Sequence, residues 1–212
     1  MREDECRPAE GAEIVPGAAV RVRFPKELTR MSPGFYVALG NEELDGAGDT
    51  LIRFYWHLTA ASAVAFVEAA TTGLNDAHVP FRLKVANDRA RFDRCDCAVV
   101  YGWKRDYATI ARLLLVDLYP AFAPALSGLV PALTKPLGPG VAFAEDPGTG
   151  DSFGLHRCFL IADGIVRAAE AGRASPTEQV ETVAERFAEN GLSLERPYLN
   201  AASTDEYAVP AP

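Results

Sequence analysis

A basic surface is what this chain most conspicuously lacks. Its 21 lysines and arginines are outnumbered by 29 acidic residues, for a formal net charge of -8. That balance excludes a non-specific nucleic-acid binder, which needs cations to displace counterions from phosphates. Any cationic site must therefore be local. Cysteine is sparse: Cys6, Cys95, Cys97 and Cys158 form no disulfide framework and read as buried free thiols. Cys95-Asp96-Cys97 offers two thiolates, but no second pair or histidine follows at finger-like spacing, so no metal site is expected. Gly138-Pro139-Gly140 has no Lys-Ser/Thr after it, and neither a dinucleotide-binding glycine motif, a kinase set nor a zincin helix is present. ATP and dinucleotides are thus unexpected as ligands. No apolar run reaches the ~20 residues of a membrane span, and residues 1–17 show no basic region leading into an apolar one. The expected compartment is the cytoplasm, with no membrane partner.

What is present is ordinary globular material: 212 residues, 49 % apolar and 24 % charged, enough for one full core. Residues 1–17 read as a flexible leader, 18–202 as a single domain and 203–212 as a flexible tail. Alternation over 19–24, 35–39, 53–58, 80–86, 95–103 and 141–144 predicts strands. Apolar residues at helical spacing predict helices over 59–72 with Thr59 as cap, 106–119 stopped by Pro120, 153–171 capped by Ser152, and 176–190. The Pro- and Gly-rich stretch 121–140 reads as a long shaped loop. Together these predict an α+β domain, a mainly antiparallel twisted sheet with helices packed on it.

Chemistry concentrates in Arg53-Phe54-Tyr55-Trp56-His57-Leu58. A strand here places Arg53, Tyr55 and His57 on one face and Phe54, Trp56 and Leu58 on the other. The first set can bind an anion and exchange a proton near neutral pH; a solvated strand face fits the pattern equally. Arg82 and Lys84 share a face of a second strand. A lysine desolvated beside another cation has a lowered pKa and becomes a usable base, the alternative being a solvent-facing lysine. His156 and Arg157 fall in the first turns of a helix, where cations oppose the dipole unless an anion is bound or Glu145 or Asp146 pairs with them. Lys135, in the Pro-rich stretch, can close over an anion or stay solvated.

Thr134-Lys135-Pro136-Leu137, Val141-Ala142-Phe143-Ala144-Glu145-Asp146-Pro147, Ser152-Phe153-Gly154-Leu155-His156-Arg157 and Pro197-Tyr198-Leu199-Asn200 resemble the HopA-type effector family. So do Arg53-Phe54-Tyr55-Trp56-His57 and Pro80-Phe81-Arg82-Leu83-Lys84-Val85, which extends the resemblance over about residues 18–202. Such domains accompany a phosphotransferase-like kinase in making class V lanthipeptides and thioamitides. The resemblance implies a lyase that eliminates phosphate from phosphoserine or phosphothreonine in a ribosomally made precursor peptide, leaving dehydroalanine or dehydrobutyrine, with no cofactor. The implied partners are that peptide and the kinase. A more distant similarity to type III effector phosphothreonine lyases implies Lys84 as base and His57 as acid. It also implies Arg53, Arg82 and Arg157 on the phosphate; the reading of the residues themselves adds Tyr55, Lys135 and His156 to the substrate shell, with His156 an alternative to His57 as the acid. Two rival expectations are a cyclase that adds a cysteine thiol to the dehydrated residue, and a non-catalytic scaffold that binds the peptide or the kinase.

Overall fold

The computed structural model describes residues 6–8, 15–16, 20–22, 25–44 and 48–211. Most of the leader, and residues 19, 23 and 24 of the first expected strand, lie outside them. Within them, β1 (Cys6–Pro8) pairs antiparallel with β2 (Val20–Val22).

The core is a seven-stranded sheet comprising β3 (Glu27–Leu28), β4 (Phe35–Leu39), β5 (Leu51–Trp56), β6 (Arg82–Ala86), β7 (Ala98–Trp103), β8 (Lys135–Gly138) and β9 (Val141–Glu145). Its order is β3-β4-β6-β7-β5-β9-β8, and every neighbouring pair is antiparallel. Four helical units complete the α+β domain: α1 (Ala63–Asp76), a composite helix, α4 (Phe153–Glu170) and α5 (Pro176–Glu189). The composite runs from α2 (Tyr107–Ala111) through a π-helical stretch, Arg112–Leu118, into α3 (Tyr119–Phe122).

Alternation along β5 sorts the two faces. Ile52, Phe54 and Trp56 enter the main core with Phe66 and Leu74 of α1 and Ile110 and Leu114 of the composite helix. Tyr55 packs on the opposite face with Val99, Tyr101, Ala142, Ala144 and Phe153. The composite helix passes Pro120 because i→i+5 bonding shifts the ladder, leaving the proline in the first turn of α3, where its missing N–H costs nothing. The 22-residue helical stretch Lys104–Ala125 is long and apolar enough to cross a membrane by composition; here Ile110 and Leu114 are wholly buried against the sheet.

Several expected boundaries move. α1 starts four residues after Thr59, whose hydroxyl meets Ser62 Oγ at 3.1 Å instead of capping. It also runs through Gly73, where Leu113 fills the space of a side chain, with Cδ1 2.6 Å from an ideal Cβ. Lys135 belongs to an edge strand, not a loop; Pro136 is tolerated there beside an irregularity in the β8–β9 register. Ser152 caps α4 as expected, accepting from Leu155 N at 3.2 Å, and Ser175 with Glu178 forms a capping box for α5.

Among the described residues the tail contains no helix or strand but is fastened to the body. Tyr207 is buried against Phe143 and Tyr107. Its hydroxyl donates to Glu145, a fully buried carboxylate that also accepts from Asn200 N (2.7 Å) and Ser203 Oγ (2.8 Å). The thiols differ from one another: Cys97 is buried and donates to Trp56 O at 3.3 Å, Cys95 is half-buried, and Cys158 is exposed on α4. Cys6 lies where side chains are not described.

Candidate functional site

Sheet register brings the cationic residues together. Arg53 and Arg82 both pair with Tyr101, from opposite sides of β7, while Tyr55 and Lys84 both pair with Val99. Directly opposed residues share a face. Two rows therefore cross the same side of the sheet, one reading Arg82-Tyr101-Arg53 and the next Lys84-Val99-Tyr55.

Those rows floor a cavity of about 390 Å³. Arg53, Tyr55, Lys84, Val99 and Tyr101 line it from the sheet, with Phe35 beside them. Arg94 and Asp96, Pro131 and Ala132, and the first turn of α4 with its cap, Ser152–Leu155, supply the walls. The α4 terminus adds the positive end of an 18-residue helix to the same space.

Each charged group there has a physical reason for its state. Burial pushes the Lys84 ammonium toward its neutral form; Asp96 opposes that, and Arg53, Arg94 and Arg82 reinforce it. The Lys84 amine lies 3.9 Å from the centre of the Phe35 ring. Arg94 grips Asp96 through two hydrogen bonds of 2.8 Å. Burial would raise the Asp96 pKa, but the Arg94 bonds outweigh it and hold the carboxyl below its usual range. Arg53 donates from Nε to Asp146 at 2.8 Å, bonds the same carboxylate through its second nitrogen, and reaches Asp151 O at 3.3 Å. Burial raises the pKa of Tyr55 and of Tyr101, so both phenols keep their protons.

Of the expected site residues, Arg53, Tyr55 and Lys84 converge. Arg82 stacks over Tyr101, 4.6 Å from ring centre to guanidinium carbon, but is not among the lining residues. The other four do not line the cavity. His57 follows the end of β5, where its N–H bonds Gly140 O at 2.8 Å. Its Nε2 lies 3.3 Å from Phe92 O, which can only accept, so Nε2 carries the proton while Nδ1 meets Ser127 Oγ. Lys135 donates to both oxygens of Asp205 (2.7 and 2.9 Å) and to Tyr207 O (2.8 Å), holding the tail. His156 Nδ1 accepts from Arg157 at 2.8 Å, and burial followed by the Arg157 charge lowers its pKa.

Arg157, 1 % exposed, is turned inward. It donates to Pro197 O (2.8 Å), Leu199 O (2.9 Å) and Asn200 Oδ1 (3.3 Å), stitching α4 to the segment after α5. Neither acid named as its possible partner takes it: Asp146 is on Arg53, and Glu145 bonds Asn200, Ser203 and Tyr207. Residues that sequence reasoning missed are Arg94, Asp96 and Tyr101. Tyr101 alone carried a signal, as a polar-tipped aromatic in an otherwise apolar strand.

His57 and Ser127 predict a coupled pair. His57→Ala and Ser127→Ala should each lower the melting temperature, and the double variant should lose less than the sum, as residues sharing one bond do. If His57 instead protonates a leaving group from this position, His57→Ala would cut turnover far more than Ser127→Ala at equal stability.

The α+β sheet thus carries on one face a cavity lined by Arg53, Lys84 and Arg94, with the N-terminus of α4 in its wall. The chain belongs to the HopA1 effector protein family, whose model matches residues 27–199. Two solved structures are similar in fold, the effector proteins of Pseudomonas syringae pv. tomato strain DC3000 and of Pseudomonas syringae pv. syringae strain 61. They superpose with TM-scores of 0.63 and 0.58 at 19 % and 18 % identity, covering 79 % of this chain. The match covers 63 % of each of those chains. No curated protein sequence matches.

Proposed function

We propose that this domain is a lyase that removes phosphate from phosphoserine or phosphothreonine in a peptide. One observation carries the reading: Lys84 and Arg53 lie on the same sheet face and line one cavity, an amine biased toward neutrality beside a guanidinium. In the proposed step the neutral Lys84 amine takes the Cα proton and the Cα=Cβ bond forms. The Cβ–O bond breaks, and inorganic phosphate leaves. Arg53 and the α4 terminus offset the charge gathering on the phosphate, for which a planar guanidinium is well shaped. The Tyr55 hydroxyl, kept protonated, is a further donor in the cavity. Asp146 would share or yield Arg53 when phosphate arrives.

Family resemblance supports a precursor peptide of the lanthipeptide or thioamitide kind as substrate, with a kinase partner supplying the phosphoryl group in the cytoplasm. The test is incubation with a synthetic phosphothreonine peptide and no ATP, read by mass. Loss of phosphoric acid to give dehydrobutyrine is the expected result. Threonine regenerated with free phosphate would mean a phosphatase, and an unchanged peptide that still binds would mean a scaffold; either outcome removes the lyase reading.

A further inference from the structure

The cavity has a direction out of it. Its volume, about 390 Å³, is near the low end for a ligand pocket, room for a phosphorylated residue but not for a peptide of several residues. A peptide must therefore cross the rim. Leu155 belongs to that rim and also begins a line of exposed apolar side chains along α4: Leu155, Phe159, Ala162 and Val166 at i, i+4, i+7 and i+11, with Cys158 and Ile165 filling the flank. Exposure reaches 48 % at Leu155, 60 % at Phe159, 43 % at Ile165 and 55 % at Val166.

This stripe is distinct from the face that α4 buries, which carries Phe153, Arg157, Leu160, Gly164 and Ala168. Packing on α5 sets that inner face: an added Cβ at Gly164 would stand 2.7 Å from Val183 Cα. α4 is thus apolar on two sides and covered on one. Its nearby charges are engaged away from the stripe, Asp163 with Arg167 and Arg186, and Glu189 with both arginines. At the cavity end, a Cβ added to Gly154 would meet nothing within 4 Å, leaving the first turn open to an approaching backbone.

We propose that the outer face of α4 is the docking ridge for the stretch of substrate peptide flanking the phosphorylated residue, and that it selects apolar side chains there. The inference rests on the phosphopeptide reading of the cavity. The occupant follows from continuity, since Leu155 is both cavity wall and first member of the stripe. From Leu155 to Val166 the helix rises about 16 Å at ~1.5 Å per residue, a span that about five residues of extended peptide match.

The experiment reads binding without turnover, by fluorescence anisotropy, on three phosphothreonine probes. One is a minimal blocked peptide. The second extends it on each side by about the five residues the stripe spans, all leucine or isoleucine; the third carries serine at those positions. The apolar probe is expected to bind about tenfold more tightly than the serine probe. Phe159→Gln with Val166→Gln, both exposed and outside the cavity lining, should abolish that gain and leave the minimal probe unaffected. Equal affinity for the two long probes overturns the ridge. So does an equal loss on all three, or a dimer in sedimentation that the double variant dissolves, which would give the stripe to a second copy. An apolar preference without elimination sinks the lyase reading alone, and elimination without preference sinks the ridge alone.

Discussion

Lys84→Ala should lose elimination by on the order of 10²- to 10⁴-fold, the range for a positioned acid–base group, while phosphopeptide binding persists through Arg53 and the α4 terminus. Lys84→Arg should be as inactive, because a guanidinium does not deprotonate in the working range. The pH dependence has a definite sign. The base acts when neutral, so kcat/KM should climb with pH along a limb whose midpoint lies below 10.5, the ordinary lysine value, since burial lowers the Lys84 pKa. Asp96 opposes that lowering, so Asp96→Asn should move the limb to still lower pH. A limb at or above 10.5 would remove Lys84 from the role. The same shift has a stability counterpart. The folded chain disfavours the Lys84 ammonium relative to the unfolded chain, a cost present below the depressed pKa and relieved as pH rises through 10.5. Lys84→Met should therefore melt higher than the parent at neutral pH, with the difference shrinking in alkaline buffer. A variant that gains stability while losing turnover is what a functional amine in an apolar setting predicts.

Arg157→Ala should cost a few kcal/mol of stability, since each buried acceptor left without its donor costs about 1–3 kcal/mol. The guanidinium is almost wholly enclosed, and three of its partners, Pro197 O, Leu199 O and Asn200 Oδ1, would be left without their donor. Lysine should not rescue it, because one ammonium cannot span carbonyls two residues apart from the same position. Denaturant unfolding measures the loss. A phosphate ligand would behave otherwise, with an unchanged melting curve and weakened binding of phosphopeptide, and that outcome would return Arg157 to the site.

How far the site could be read in advance is clearest at these two residues. Lys84 was legible because strand alternation is strict: Arg82 and Lys84 share a face, and Arg53 with Tyr55 share another, and only the β6-β7-β5 order was needed to make these one face. Strand order is a long-range property that alternation does not encode. At Arg157 the helix start points to an anion through the dipole. The residue's phase with Phe153, Leu160, Gly164 and Ala168, the buried line of α4, points inward instead. His57 stands one residue beyond β5, beside Gly140, Phe92 and Ser127 and outside the cavity lining, a position along the strand that alternation does not specify. Arg94 and Asp96 stand in a turn before β7, and no periodicity marks which turn residues face a cavity. The packing of the tail was hidden for a related reason: Tyr207 is one aromatic among small and polar residues, and its burial depends on Phe143 and Tyr107, far away in the chain.

The cavity's floor and walls come from different kinds of structure. Three adjacent strands, each held by neighbours on both sides, fix Arg53, Tyr55, Lys84 and Tyr101 relative to one another. The walls come from the turn before β7, the Pro131–Ala132 segment and the exposed start of α4. Mutations in these parts have unequal histories open to them: a change in the floor disturbs several strand pairings at once, whereas a change on the outer surface of α4 disturbs none. On the proposed lyase and docking readings, such a domain can be retargeted to new peptides by drift on one helix face while its reaction stays as inherited, and a protein engineer could take the same route.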